Sequence, residues 1–179
     1  MKILICYATT EGQTRKIARF CSDLLFARGH NVEMLNVRDA ESLDLAGFDA
    51  AIFAGSVHLG HLQRELVVFA ETHAREMSGL PTKLLVVSLA AAGGEKSEID
   101  DLDMMIKSFS HETGWKPDAV HHVAGAFRFT EYDFFRSWAM RWIAAQKGQK
   151  VDPHANREYT DWAALATILE GWPAPKSQA

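Results

Sequence analysis

Apolar residues along the chain follow two alternating rhythms. Five short runs, Lys2–Tyr7, Asn31–Val37, Asp49–Gly55, Thr82–Leu89 and Ala119–Phe127, are each near the length of a strand buried on both faces. Between them the spacing turns helical. Gln13–Arg28 carries Ile17, Phe20, Cys21, Leu24 and Leu25 on one side and stops at Gly29, where a C-cap is expected. Gln63–Met77 repeats the pattern with Leu66, Val67, Phe69, Ala70, Ala74 and Met77, and Glu98–His111 with Leu102, Met105, Ile106 and Phe109. A last helix is predicted from Asp161 to Leu169, capped by Thr160 or Asp161. Alternation of this kind implies parallel strands joined by right-handed crossovers, hence an open α/β sheet covered on both sides. Such sheets take ligands beyond the carboxyl ends of their strands, where the crossovers change side, so function is expected in the loops after the first, third and fourth strands.

The loop after the first strand, Thr9-Thr10-Glu11-Gly12-Gln13-Thr14, opens a helix. Backbone N–H groups, the helix N-terminus and the hydroxyls of Thr9, Thr10 and Thr14 suffice to hold a phosphate monoester without Lys or Arg. Gly12 allows close backbone approach. Triphosphatase and dinucleotide glycine patterns are both absent. The competing reading is a Thr-rich helix cap with no ligand.

Tyr7-Ala8-Thr9-Thr10-Glu11-Gly12-Gln13-Thr14-Arg15-Lys16-Ile17-Ala18 resembles the FMN phosphate-loop signature of flavodoxins, with Cys6 and Cys21 replacing flanking aliphatics and Glu11 replacing a hydroxyl residue. The resemblance extends to one branch, the menaquinone-dependent protoporphyrinogen IX dehydrogenases, which are flavodoxin-like protoporphyrinogen oxidases. Gly55-Ser56-Val57-His58-Leu59-Gly60-His61 is similar to that branch's second flavin loop, Val123–Phe129 to its fifth strand, and Tyr159-Thr160-Asp161-Trp162 to the start of its last helix. It implies a flavodoxin-like doubly wound five-stranded parallel sheet of order 2-1-3-4-5, with an aromatic and basic helical insertion before the last helix. It also implies an FMN-binding domain over 1–172, with the insertion at about 127–158 and a frayed tail over 173–179. The implied FMN contacts are Thr9, Thr10, Glu11, Gly12, Gln13 and Thr14 in the first loop. Ser56, Val57, His58, Leu59, Gly60 and His61 follow in the second, and Ser88, Leu89, Ala90, Ala91 and Ala92 in the third. The implied reaction is oxidation of protoporphyrinogen IX to protoporphyrin IX with a membrane quinone as acceptor.

Carrier flavodoxins resemble one another in flanking the flavin with aromatic side chains, yet Ser56–His61 and Ser88–Gly94 contain no Trp, Tyr or Phe. One face of the ring is therefore expected to be open to substrate, which favours an enzyme. A non-catalytic electron-transfer flavodoxin and an NAD(P)H:quinone reductase are the alternatives. His58 and His61 are candidates for contact with the flavin's N1–C2=O edge, against a plain reading as solvated loop residues. No Asp, Glu or Cys accompanies them at ligand spacing, or accompanies His121-His122, so no metal site is expected.

Composition and charge sharpen this picture. At 179 residues, with 47% hydrophobic and 23% charged, the chain fits one globular domain and excludes a disordered or low-complexity protein. Its longest stretch without Asp, Glu, Lys or Arg, Ala50–Gln63, is too short and polar to span a bilayer. No signal-peptide pattern opens the sequence, which places the chain in the cytoplasm. Cys6 and Cys21 are expected to be buried free thiols. A net charge of −4 argues against general nucleic-acid binding. Phe127–Lys150 reverses that sign: it carries +3, leaving −7 on the remainder. If Tyr132–Gln146 is helical, Phe134, Trp138, Arg141 and Trp142 share one face. With Arg128 and Arg136, this stripe suits a flat tetrapyrrole bearing carboxylates, or weak peripheral contact with the cytoplasmic face of the inner membrane, where a quinone resides. The competing reading is an aromatic stripe packed on the domain itself.

Overall fold

The first apolar run forms strand β1 (Lys2–Ala8), which pairs in parallel with β2 (Asn31–Asn36) on one side and with β3 (Ala50–His58) on the other. In this computed structural model, which describes residues 1–40, 42–93, 96–127 and 157–173, the sheet continues through β5 (Thr82–Ser88) to β6 (Ala119–Ala124). The resulting order is β2-β1-β3-β5-β6, with every one of these pairings parallel. Counted among themselves, these five strands take the expected order 2-1-3-4-5. A two-residue strand β4 (His61–Leu62) folds back antiparallel on the end of β3.

Successive strand residues point to opposite faces, so a run buried on both faces must supply two cores. On one face Leu4, Cys6, Phe53, Leu84 and Val86 pack against Leu66, Phe69 and Met77 of α2 (Arg64–Met77) and Ile106 and Phe109 of α3 (Lys96–Thr113). Trp115, to which periodicity assigned no place, is fully buried there and meets Phe53 edge-on at 5.1 Å. On the other face Ile3, Ile5, Ile52, Leu85 and Val87 pack against Ile17, Ala18, Cys21 and Leu25 of α1 (Gln13–Ala27) and Leu165 and Leu169 in and beyond α4 (Trp162–Ile168). Burying Ile17 and Leu25 contributes about 1.5–3 kcal/mol each, enough to hold α1 against the sheet. Both thiols are free, and burial pushes each up to about 12, so they stay protonated. Among the described residues no helix is long and apolar enough to cross a membrane.

Three features differ from the periodicity. β2 and β6 are edge strands and only half-buried, because each has a neighbour on one side alone. β3 runs on past Gly55 to His58, since Val57 and His58 pair with Leu62 and His61 of β4 instead of entering a loop. The run Ala119–Phe127 breaks at Gly125. There the N–H donates to the Ser88 carbonyl (2.9 Å) and the carbonyl accepts from the Tyr159 N–H (3.0 Å). Beyond it the chain leaves the sheet as β7 (Ala126–Phe127), antiparallel to β8 (Arg157–Glu158). Asp161 is the cap of α4, its Oδ1 accepting the Ala164 N–H at 2.9 Å. Trp172 packs against the α1 face, and Pro173 is buried.

Candidate functional site

The parallel arrangement brings the carboxyl ends of β1, β3 and β5 side by side, and the loops that leave them form one cleft. It is open to solvent.

The first loop is rich in donors. Gly12, at φ 90°, takes a left-handed turn that favours glycine, and α1 begins there without any side-chain cap. Lys16 N–H reaches the Gly12 carbonyl at 3.1 Å, so the N–H groups of Gln13, Thr14 and Arg15 precede the first intrahelical bond. No acidic residue sits in that first turn. Thr9 Oγ1 accepts the Gly12 N–H at 2.9 Å, which leaves its own proton to donate outward. Thr14 is 1% exposed and borders the cleft, yet its hydroxyl has no partner. A buried hydroxyl without a partner costs about 1–3 kcal/mol. Donors without acceptors, at the positive end of a helix, suit an anion.

The second loop is a tight hairpin. Leu59 (φ 52°) and Gly60 (φ 77°) form its two-residue turn, with His58 directly opposite His61. Holding Leu59 in the left-handed region costs about 1–2 kcal/mol, and its side chain is 61% exposed. Gln63, just before α2, ties this loop to the first: its Nε2 donates to Ser56 Oγ and lies 3.5 Å from Thr10 Oγ1. In the third loop Ser88 Oγ accepts the Ala91 N–H (3.2 Å) and shapes a single 3-10 turn over Ala90–Ala92.

The cleft wall comprises Thr9, Thr10, Glu11, Gln13 and Thr14, then Ser56, Val57 and His58, then Val87, Ser88 and Leu89, and finally Gly125 and Ala126. Ten residues expected from the sequence are among them. Gly12, Leu59, Gly60, His61 and Ala90, Ala91 and Ala92 shape the loops but stand outside the wall. Val87, Gly125 and Ala126 were not anticipated; Gly125, interrupting an apolar run, was the available signal. Arg128, Phe134, Arg136, Trp138, Arg141 and Trp142 lie outside the described residues.

The chain returning through β8 is fastened to α1. Gln13 Nε2 donates to Thr160 Oγ1 (2.9 Å), which donates in turn to the Ala124 carbonyl (2.7 Å). Lys16 pairs with Glu158, whose carboxylate also accepts from Trp162 Nε1 at 2.9 Å. The Lys16 hydrogen bond, outweighing partial burial, holds Glu158 below the usual carboxylate range.

Two proteins named protoporphyrinogen IX dehydrogenase (quinone) are similar to the chain along nearly all of it. The protein from Escherichia coli is 28% identical over 168 residues, covering 94% of this chain and 92% of its own. The one from Leishmania major is 27% identical over 177 residues, covering 97% and 75%. Among solved structures, oxidised flavodoxin 2 from Bacillus cereus superposes with a TM-score of 0.54 at 19% identity, covering 79% of this chain and 99% of its own. A cysteine-to-serine variant of Pseudomonas aeruginosa flavodoxin gives 0.52 at 19%, covering 83% and 100%. Residues 4–154 match the flavodoxin domain family, so with its strand order and its three-loop cleft this chain belongs to that family.

Proposed function

We propose that the chain is an FMN-dependent oxidoreductase that oxidises protoporphyrinogen IX to protoporphyrin IX and passes the electrons to a quinone. The observation that carries this reading is the cleft itself, an uncapped, donor-rich helix start beside a wall with no Trp, Tyr or Phe among the described residues. The residues present fit FMN. Thr9, Thr14 and the N–H groups opening α1 would hold its phosphate, and Val57, Val87, Leu89 and Ala126 offer apolar contact for a flat ring. When bound, FMN supplies the two-electron redox chemistry that no side chain here can. The protein's own tasks are holding, orienting and leaving one ring face accessible. His58, on the cleft wall, is the candidate for contact with a ring edge, and His61 lies directly opposite it in the hairpin. The names of the full-length relatives support the substrate and the acceptor. Phe134, Trp138, Trp142, Arg128, Arg136 and Arg141 supply the docking surface for the porphyrinogen or the quinone-bearing membrane, a role that rests on their sequence pattern and charge.

The test is anaerobic mixing of FMN-loaded protein with protoporphyrinogen while flavin absorbance is followed. Bleaching by the porphyrinogen, reversed by a quinone, is the expected result. Bleaching by a flavodoxin reductase but not by the porphyrinogen would establish an electron carrier instead.

A further inference from the structure

The first turn of α1 faces two ways. Toward the cleft it offers N–H donors and the Thr14 hydroxyl. Gln13 borders the same cleft, yet its amide is committed elsewhere, to Thr160 at 2.9 Å. Both side chains are nearly dry, at 7% and 8% exposure. Because the Thr160 proton goes to the Ala124 carbonyl, Thr160 Oγ1 receives from Gln13 as acceptor only, so the hydrogen-bond chain has one direction: Gln13 amide, Thr160 hydroxyl, Ala124 carbonyl. One turn along α1, Lys16 holds Glu158, on which Gln13 also acts. Ala124 is the last residue of β6 and immediately precedes the two wall residues Gly125 and Ala126. The ties therefore join the donor loop, the far wall and the returning segment into one unit spanning 147 residues of sequence.

We propose that Gln13 and Thr160 are positioning residues for the phosphate end of the cofactor. By anchoring the first turn of α1 to the returning segment, they hold the loop's N–H groups and Thr14 hydroxyl in register for a phosphate dianion. The inference rests on the reading of the cleft as an FMN site and deepens it. Linkage makes the effect reciprocal: phosphate in the loop stabilises residues 157–161, and loosening those residues weakens phosphate binding. The lever acts on the donors of the first loop, which riboflavin, lacking the phosphate, would not engage.

Dissociation constants of FMN and riboflavin for the wild-type protein, Thr160→Val and Thr160→Ser separate this role from a merely structural one. Thr160→Val removes the hydroxyl with little change of shape and should weaken FMN about two- to tenfold, the worth of one hydrogen bond, while leaving riboflavin unchanged. Thr160→Ser should restore FMN. Hydrogen exchange in the wild-type protein gives a second readout that needs no variant: amides of residues 157–161 should slow severalfold on adding FMN and not on adding riboflavin. Equal loss of both ligands, failure of Ser to rescue, or exchange indifferent to FMN would overturn the proposal. Wild-type protein that does not prefer FMN to riboflavin would refute the FMN reading and this inference with it. A preference left undiminished by Thr160→Val refutes this inference alone.

Discussion

Replacing Thr14 by Val should move two measurable quantities in opposite directions. The side chain is 1% exposed, and its hydroxyl finds no acceptor or donor in the protein. In the apoprotein that hydroxyl is a buried polar group without a partner, costing about 1–3 kcal/mol, and valine removes it at nearly constant shape. For a domain of this size each kcal/mol is worth about 2–4 °C, so the apoprotein Tm should rise by at least 2 °C in calorimetry. With cofactor present the sign reverses. In the proposed FMN complex the hydroxyl would donate to a phosphate oxygen, a charge-assisted bond worth about 1.5–3 kcal/mol, and its loss should weaken FMN by about ten- to a hundredfold in a fluorescence titration. Riboflavin, which lacks the phosphate, should bind both proteins alike. A lower apoprotein Tm would mean the hydroxyl is satisfied in the free protein. An equal loss for FMN and riboflavin would place the phosphate elsewhere.

Other parts of the structure yield further expectations. A Cβ at Gly55 would stand 2.6 Å from Leu66 Cδ2 and 3.1 Å from Leu62 Cδ2, so Gly55→Ala should destabilise by about 1–3 kcal/mol in urea unfolding; an unchanged midpoint would show that α2 yields freely. Gly60→Ala places a side chain at φ 77° in the hairpin turn and should shift the midpoint potential of bound FMN, whereas an unchanged potential with unchanged affinity would put the hairpin away from the ring. His121 is held below its usual 6.5 by burial, then by Lys83, whose Nζ is 3.2 Å from its Nε2, and by His122. Its folded form binds protons less readily than its unfolded form, so stability is whole above about pH 6.5 and falls as pH drops through the lowered value. His121→Gln should flatten that slope in urea titrations between pH 5 and 8, and a slope that persists would assign it to other groups. Changing Trp138 and Arg141 together to Ala should impair quinone-linked turnover and vesicle binding while FMN stays bound; full retention of both would remove the docking role.

What the sequence disclosed depended on how local each signal was. The alternation of apolar runs with helical spacing gave the element order, because each run lies within one element and the core repeats every two or three to four residues. The three-residue turns at Val37–Asp39 and Leu45–Gly47 are too short to show a period, and only Asn36 and Asp44, whose side chains accept the N–H of Arg38 and Ala46, mark them. Strand order came from the resemblance and not from periodicity, which says which residues are buried but not beside what. The first loop was legible for the same reason as the helices: Thr9, Gly12 and Thr14 act within one turn of chain. Gln63, Gly125 and Thr160 were not, since their roles arise only when the sheet brings Thr10, Ser88 and Gln13 to them. Ala90–Ala92 show the converse, adjacent to Ser88 in sequence but led off the cleft wall by the 3-10 turn whose Ala91 N–H Ser88 accepts.

The pairing of β7 with β8 has an evolutionary consequence. Ala126 opposes Glu158 and Phe127 opposes Arg157, so the chain departs and comes back at neighbouring points about 5 Å apart. Closing an excursion between fixed, adjacent ends costs free energy only as the logarithm of its length, roughly 0.6 kcal/mol per doubling. With its two ends held this close by β7 and β8, the number of residues between Phe127 and Arg157 can change at little cost in closure. Natural selection can vary the length of chain between these two ends while inheriting the five-stranded sheet unchanged. A designer can use the same two ends, replacing the excursion with a two-residue hairpin turn or with a foreign loop.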